Sequence, residues 1–307
     1  MKKVTVVGLG LATLDILALT PRLPQSNDCF PITTLEMHGG GPVATALVAL
    51  ARLGADCNYL GSLAADDTAR QIVTELGNYG IDCTYCPQRD SGVSSASVIL
   101  VEQNNGQRAI LFQESTAENL KPQEVPLDLI KNAHALHLDG FYTPAAIHAA
   151  HFARENNVPV SFDGGAGELM WDELAQLLPL VDILVVAKKF ALETSGKPSI
   201  LEAGEALLQQ YKNQQVVITD GEHGSWYWDQ HTHFHQPAFP VYVVDTTGAG
   251  DTFHGAYLFA CLQKKWTPQY RLKFASAVAA IKCTQLGGRK GIPTLAETLV
   301  FLDAQNS

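Results

Sequence analysis

Six short apolar runs recur along the chain, separated by helix-like stretches, and this pattern constrains the fold more than any other feature of the sequence. Strands that are apolar along their whole length are typical of a parallel sheet covered on both faces, because neither side can face water. Strands that alternate with helices join into such a sheet through right-handed crossovers. The predicted strands are 4–7, 59–63, 135–138, 160–162, 183–186 and 216–218. The sequence therefore predicts an α/β fold whose central, mostly parallel β-sheet is flanked by helices.

Polar residues follow several of these runs. In open α/β sheets, ligands bind beyond the carboxyl ends of the strands. The residues that fall there are Asp15, Asp139, Asp163, Thr219 and the loop at Gly248. We therefore expect the site at this edge of the sheet, and we predict that Asp139 is one of its substrate-binding residues.

Three residues with little or no side chain, Gly248, Ala249 and Gly250, precede Asp251 and an apolar stretch that begins at Phe253. Their backbone N–H groups can turn toward one point at the start of a helix, so a negatively charged group should bind there. The helix dipole favours the ionised form of the aspartate, which can then accept a proton from a hydroxyl group. The pair indicates phosphoryl transfer to an alcohol, and a glycine turn capped by an aspartate is the structural alternative.

Two glycine motifs resemble those of a known family. Asp245-Thr-Thr-Gly-Ala-Gly-Asp-Thr-Phe253 is similar to the signature of the ribokinase-like (PfkB) carbohydrate and nucleoside kinases, and Gly39-Gly-Gly-Pro-Val-Ala-Thr-Ala46 resembles their N-terminal glycine motif. The resemblance implies a ribokinase-like fold, ATP as the phosphate donor and Mg2+ as the ion that bridges its phosphates. It also implies that Asp251 is the catalytic base and that the three small residues before it form the anion hole.

The resemblance extends to the acceptor. Asp15 matches the family aspartate that hydrogen-bonds two sugar hydroxyls, and the backbone of Gly39, Gly40 and Gly41 is expected to lie against the sugar. Arg108 on the lid is expected to bind the substrate, and either Arg108 or Gln113 could contact an anionic end of it. An ordinary turn residue is the structural alternative for Asp15, and a residue at the exit of a turn is the alternative for Arg108.

The resemblance also covers the nucleotide. The residues expected to border or bind it are Thr219, Gly221, Gly224, Gly248 and Gly250. Asp245 and Thr247 match positions that, together with carbonyls of the loop 286–291, hold a monovalent cation in many relatives. Potassium is therefore a candidate second metal ion.

Two segments, 16–37 and 94–113, do not fit the alternation, and their short β-like runs resemble the small β-sheet lid of the family. The nucleotide- and sugar-binding core then consists of 1–15, 38–93 and 114–307. A lid makes physical sense because a wet kinase site would transfer phosphate to water. The apolar content of these segments also permits a homodimer through the lid, as in several relatives.

The chain departs from the family pattern at two places. Ala187-Lys-Lys-Phe190 stands where many relatives have an Asn-x-x-Glu motif that organises Mg2+, and Ala44 stands where an asparagine is usual. The motifs are most similar to those of sulfofructose kinases and less closely to those of ketohexokinases. A sulfonate would need cationic or amide donors at the far end of the pocket. At the places where such donors are expected this chain has Asn27 and Phe141, and these residues favour an uncharged sugar. We therefore predict a hexose or ketohexose acceptor such as fructose; a sulfofructose kinase, a nucleoside kinase and a non-catalytic sugar sensor are the alternatives.

Composition and charge exclude some function classes. The formal net charge of −10 argues against a nucleic-acid partner, because proteins that bind phosphate backbones usually present a basic face. No segment approaches the ~18 apolar residues that a membrane helix requires, so no membrane partner is expected. We expect small-molecule substrates and a cytoplasmic location, where ATP is plentiful.

Three other motifs carry weaker signals. Cys83-Thr-Tyr-Cys86 has redox or metal spacing, but no second pair or nearby histidine completes a zinc site. The alternating His231, His233 and His235 indicate an exposed hairpin rather than a metal site. Val7-Gly-Leu-Gly10 suggests a dinucleotide fingerprint, but the third glycine is absent, so a dehydrogenase is the weaker interpretation.

Overall fold

The computed structural model describes residues 4–104, 107–165 and 171–305, which form a large sheet, a small sheet and a two-stranded ribbon. In chain order the strands are β1 (Thr5–Leu9), β2 (Thr13–Thr20), β3 (Thr34–Gly40), β4 (Asp56–Leu60), β5 (Leu63–Ala64), β6 (Gln88–Arg89), β7 (Ala96–Glu102), β8 (Arg108–Gln113), β9 (Ala135–Leu138), β10 (Val160–Asp163), β11 (Ile183–Ala187), β12 (Gln215–Thr219), β13 (Ser225–Asp229) and β14 (His233–Gln236). The predicted ranges 1–15, 94–113 and 114–307 each include residues that lie outside the described part, namely 1–3, 105–106, 166–170 and 306–307.

The large sheet has the order β14-β13-β12-β11-β10-β9-β1-β4. All its strands from β12 to β4 pair in parallel, and the hairpin β13-β14 adds two antiparallel strands at one edge. All residues of β9 and β10 are buried. Both faces of these strands are therefore covered, as their uninterrupted apolar sequences predicted. The predicted mostly parallel α/β sheet is confirmed.

Helices cover both faces of this sheet. They are α1 (Pro42–Arg52), α2 (Asp67–Asn78), α3 (Leu127–Lys131), α4 (Thr143–Glu155), α5 (Trp171–Leu177), α6 (Lys188–Ser195), α7 (Ile200–Tyr211), α8 (Ala249–Cys261), α9 (Pro268–Lys282) and α10 (Leu295–Ala304). Val6 packs in a cluster with α1, α8 and α9, whereas its neighbour Val7 packs on the opposite face with α4 and α7. Each fully buried valine or leucine contributes about 1.5–3 kcal/mol, so these two cores stabilise the layered arrangement.

The small sheet has the order β3-β2-β7-β8 and starts at Thr13, so it includes Asp15 and the first two residues of the Gly39 motif. Adjacent residues of a strand point to opposite faces. One row across the sheet is His38–Asp15–Ser97–Phe112, and the neighbouring row on the other face is Met37–Ile16–Val98–Leu111. The first row faces the carboxyl ends of the large sheet, and the second leaves Met37 58% and Leu111 61% exposed.

Several smaller expectations concern surface features. In residues 4–104, 107–165 and 171–305, no helix combines the length and the apolarity needed to cross a membrane. None of the six cysteines, all of which lie in the described part of the chain, forms a disulfide bond, and Cys29 is exposed while Cys57 and Cys86 are buried. Strands β13 and β14 form the hairpin predicted from the alternating histidines, and both His233 and His235 are exposed on it.

Candidate active site

The start of α8 forms an anion site. Gly248 caps the helix with φ of 70°, and a Cβ atom there would meet the carbonyl oxygen of Gly288 at 2.6 Å, so only glycine fits without strain. The N–H of Ala249, which was predicted to belong to the anion hole, instead donates to the carbonyl of Thr246, because the loop closes into a turn there. Within the described residues, the N–H groups of Gly250 and Asp251 have no recorded partner. With the positive end of the helix dipole, these free donors suit a phosphate group.

The carboxyl group of Asp251 lies on the first turn of α8 and is half-buried. Burial, followed by the negative charge of Asp163, raises its pKa to about 7, although Arg108 and Arg289 act in the opposite direction. The charge of Asp15 also raises this pKa. A carboxyl with a pKa near neutral pH can accept a proton from a substrate and release it again, which suits a general base.

Asp163, the last residue of β10, is buried and close enough to Asp251 to influence its charge. Its Oδ1 accepts a hydrogen bond of 2.7 Å from the N–H of Gly165 and lies 3.4 Å from Nε2 of His254 on α8. Its Oδ2 has no hydrogen-bond partner in the described structure. Burial raises the pKa of Asp163 to about 7 and lowers that of His254 to about 3, so the histidine is neutral. His254 lies within an apolar run, so no sequence pattern marked it as a site residue.

Asp245 fixes the loop that precedes α8. Its Oδ1 accepts the N–H of Thr247 at 2.8 Å, and its Oδ2 accepts the N–H of Gly287 at 2.8 Å. Its backbone carbonyl accepts a hydrogen bond of 2.9 Å from Nζ of Lys282, the last residue of α9. Oγ1 of Thr247 is buried and has no partner in the described residues. Asp245 thus connects the phosphate loop with the segment that follows α9.

The acceptor end contains Asp15 on β2. Its Oδ1 accepts a hydrogen bond of 2.8 Å from the hydroxyl of Thr13, and Ser97 on β7 is a second hydroxyl neighbour. Burial raises the pKa of this carboxyl, and these hydroxyls partly oppose that effect. A Cβ atom on Gly40 would overlap the Asp15 carboxyl, so the bare backbone is needed for this close approach. Gly41 follows with φ of 93° and caps α1.

Arg289 joins the two ends of the site. Its guanidinium group is 1% exposed and donates to the carbonyl of Gly40 at 2.6 Å, to Oγ1 of Thr45 at 3.1 Å and to the carboxylate of Glu75 at 2.9 Å. The preceding residue, Gly288, packs against the phosphate loop. Arg289 was not among the predicted site residues, since an arginine inside a glycine-rich turn is the only sequence pattern that marks it.

Asp139 lies between the loops at this edge. Its Oδ2 accepts the N–H groups of Leu11 at 2.8 Å and Val43 at 3.2 Å, and its Oδ1 accepts that of Phe141 at 3.0 Å. Burial raises its pKa to about 7, although these amides lower it. In this structure the carboxyl connects three loops, and a contact with the substrate stays a prediction.

The predicted nucleotide residues lie around the end of β12. Oγ1 of Thr219 is 3.5 Å from the carbonyl of Val186 on the adjacent strand. Gly221 and Gly224 have φ of 53° and 90°, and a Cβ atom on the second would overlap the carbonyl of Gln236. The glycines therefore allow a tight turn next to the carboxyl ends of β11 and β12.

Arg108, the first residue of β8, connects the small sheet with the phosphate loop. Its guanidinium donates to Oγ1 of Thr246 at 2.6 Å. A cavity of about 170 Å³ lies between the small sheet and the ends of β9 and β10. Residues that line it include Ser95, Phe112, Glu114, Asp139, Phe141 and Asp163. Of the predicted site residues, Asp139 lines this cavity together with Asp163, and Asp163 in turn influences the carboxyl of Asp251.

Comparison with known proteins agrees with this geometry. Residues 1–295 match the model of the pfkB family carbohydrate kinases. Fructokinase-1 from Zea mays is 28% identical over 290 residues, which cover 88% of this chain and 89% of that protein. A ribokinase from Arabidopsis thaliana, solved with ribose and ATP, has a TM-score of 0.83 and 25% identity, and the match covers 98% of this chain and 99% of the other. An E. coli protein provisionally named ribokinase II, solved with ATP and Mg2+, has a TM-score of 0.85 and 22% identity, with coverage of 98% and 99%.

The match spans nearly the whole chain, and Gly288 and Arg289 contact both glycine motifs that suggested the family. The expected fold and enzyme class are therefore confirmed. This chain belongs to the pfkB family of carbohydrate kinases, which are ATP-dependent phosphotransferases.

Proposed function

We propose that this protein transfers the γ-phosphate of ATP to a hydroxyl of a hexose or ketohexose such as fructose. The observation that carries the proposal is the position of Asp251, whose carboxyl lies beside the open N–H groups at the start of α8 and shares the cleft with Asp15. A proton acceptor next to an anion site is what phosphoryl transfer to an alcohol requires.

Each part of the site then has a chemical task. The N–H groups of Gly250 and Asp251 hold the migrating phosphoryl group and stabilise charge as it develops. Asp15 and the backbone of Gly39–Gly41 hold the sugar so that one hydroxyl faces the phosphorus. The Asp251 carboxylate takes the proton of that hydroxyl during the attack. Thr219, Gly221 and Gly224 border the nucleotide.

Mg2+ fits this donor set. Kinases bind it through one or two carboxylates, waters and the substrate phosphates, and it neutralises phosphate charge. The buried Oδ2 of Asp163 has no partner among the described residues, so Asp163 is an anionic oxygen donor available to the ion or its waters. At the place of the absent Asn-x-x-Glu motif, Nζ of Lys188 lies 3.0 Å from the carboxylate of Asp220. Asp163 would compensate for the missing motif as an oxygen donor.

Charge at the acceptor side supports an uncharged sugar. The cavity contains the carboxyl groups of Glu114, Asp139 and Asp163. A second anion such as a sulfonate would be repelled by these groups, and Arg108 already donates to Thr246. The rings of Phe112 and Phe141 in the same cavity favour one second candidate, a nucleoside whose base would pack on them.

An acceptor screen tests the proposal. Release of ADP from MgATP would be followed with hexoses, pentoses, sulfosugars, sugar phosphates and nucleosides, and NMR of the product would identify the phosphorylated hydroxyl. We expect the highest kcat/KM with a neutral hexose or ketohexose. Preference for an anionic sugar or a nucleoside would overturn the acceptor assignment, and the absence of turnover with every acceptor would overturn the kinase assignment itself. A cytoplasmic location forms part of the same proposal, because the reaction consumes ATP.

We also propose a homodimer through the outer face of the small sheet. Met37, Ile16, Val98 and Leu111 form an apolar row there across the sheet, and three of the four are more than a third exposed. Exposed apolar rows of this kind are typical of interfaces. Sedimentation equilibrium should give a dimer that Leu111→Lys dissociates, while Val300→Lys, on the exposed surface of α10, leaves it intact. A monomeric wild-type protein would contradict this proposal.

A further inference from the structure

Lys282 lies in the protein interior, where lysine is rarely found. It ends α9, its exposed fraction is 0%, and its Nζ donates a hydrogen bond of 2.9 Å to the backbone carbonyl of Asp245. An ammonium group is costly to bury unless it is paired and hydrogen-bonded. A buried lysine next to a phosphate-binding loop therefore needs an explanation.

The explanation begins with the charge next to it. Asp245 is also 0% exposed, and both of its carboxylate oxygens accept backbone N–H groups, from Thr247 and Gly287. Its negative charge and that of Asp251 favour the charged form of Lys282, whereas burial, the largest influence, and Arg108 lower the pKa of the lysine. The ammonium and the Asp245 carboxylate thus compensate each other inside the protein.

The same carbonyl matters for the monovalent cation that the sequence motifs suggested. A cation held by the Asp245 and Thr247 positions and by carbonyls of 286–291 would lie at this loop. In this structure the Asp245 carbonyl already accepts Lys282, whose charge would repel a second cation bound to the same oxygen. The residues present therefore do not fit a K+ ion at this position.

We propose that the Lys282 ammonium is a built-in cation that takes the place of K+ beneath the phosphate loop. It fixes the Asp245 carbonyl, and with it the loop that orients the N–H groups of Gly250 and Asp251 toward the phosphate. Because the cation is covalently attached, the loop is organised in the absence of salt. This inference rests on the proposed kinase activity and concerns its cation requirement.

The first test uses the wild-type protein with MgATP and its best acceptor. ADP release is compared in K+, Na+ and choline chloride at equal ionic strength. We expect rates that agree within about twofold, because the Lys282 ammonium already holds the Asp245 carbonyl. Stimulation of tenfold or more by K+ over choline would overturn the inference. Absence of turnover in all three salts would instead overturn the proposed function, so the two failures are distinguishable.

The second test removes the ammonium. Lys282→Met is compared with Lys290→Met, which loses an exposed lysine of the adjacent loop whose Nζ lies 3.7 Å from Glu36. ATP binding is measured by calorimetry in choline chloride and again with K+ or NH4+. We expect about tenfold weaker binding in Lys282→Met, partly restored by K+ or NH4+, and no change in Lys290→Met.

Unchanged ATP affinity in Lys282→Met would also overturn the inference. A thermal unfolding curve accompanies each variant, to separate loss of folding from loss of the cation. If Lys282→Met does not fold, Lys282→Gln serves in its place, and the salt comparison on the wild-type protein remains decisive by itself.

Discussion

The two ends of the cleft are built in different ways. The phosphate end comes from a single run, in which Gly248, Gly250 and Asp251 are neighbours in sequence and one helix start positions them. The acceptor end is assembled from distant segments, with Asp15 on β2, Ser97 on β7 and the Gly40 backbone held by Arg289. Local geometry thus determines the chemistry, whereas tertiary packing determines what is phosphorylated. The difference predicts that substitutions at the two ends will change different kinetic constants.

The largest effect is expected at the base. Asp251→Asn removes the proton acceptor and keeps the shape, so kcat should fall ~100-fold or more while sugar binding changes little. Steady-state kinetics and calorimetry with the sugar measure the two quantities. Asp128→Asn, an exposed aspartate of α3, is the control. Wild-type turnover in Asp251→Asn would show that Asp251 is not the general base.

The next effect is expected at the acceptor end. Asp15→Asn replaces a carboxylate that can accept two sugar hydroxyls, so KM for the sugar should rise ~10–100-fold. KM for ATP should stay unchanged and serves as the internal control. A rise of both constants together would mean that the two ends are not separable.

A smaller effect is expected in the phosphate loop. Gly248→Ala adds a Cβ atom that meets the Gly288 carbonyl, and the alanine must adopt the left-handed backbone conformation. We therefore expect KM for ATP to rise ~10-fold and the free energy of unfolding to fall by about 1–2 kcal/mol. Gly196→Ala has a similar positive φ of 64° with open space around it, and it should lose stability alone. Equal ATP affinity in both variants would show that the loop tolerates displacement.

The smallest effect is a shift in pH dependence. The base must be ionised, so kcat/KM measured at limiting MgATP should rise with pH and level off above about 7, the pKa of Asp251. Asp163→Asn removes the negative charge that helps to raise this pKa, so the profile should move to lower pH by about one unit. Asp15, the last of the named influences, should give a smaller shift as Asp15→Asn. An unmoved profile would mean that the two carboxyl groups do not interact.

The sequence predicted the fold and the phosphate end because both depend on local patterns. Uninterrupted apolar runs indicated the parallel strands, and the neighbours of Gly248 needed no tertiary contact to be recognised. Arg289, Lys282 and His254 were not recognised, since their roles arise from burial and from partners far away in the chain. A single charged residue in a helix or loop has the same sequence pattern whether it is buried or solvated.

The distribution of thiols gives this enzyme a convenient reporter. Cys29 lies on the exposed connection between β2 and β3, whereas burial raises the pKa of Cys83 to about 11 and that of Cys86 to about 12, and it also raises the pKa of Cys261 and Cys283. Cys57 is buried. Alkylating dyes react with thiolates, so near neutral pH they should label Cys29 selectively. A fluorophore at that position would report whether the small sheet moves during turnover, without any engineered cysteine.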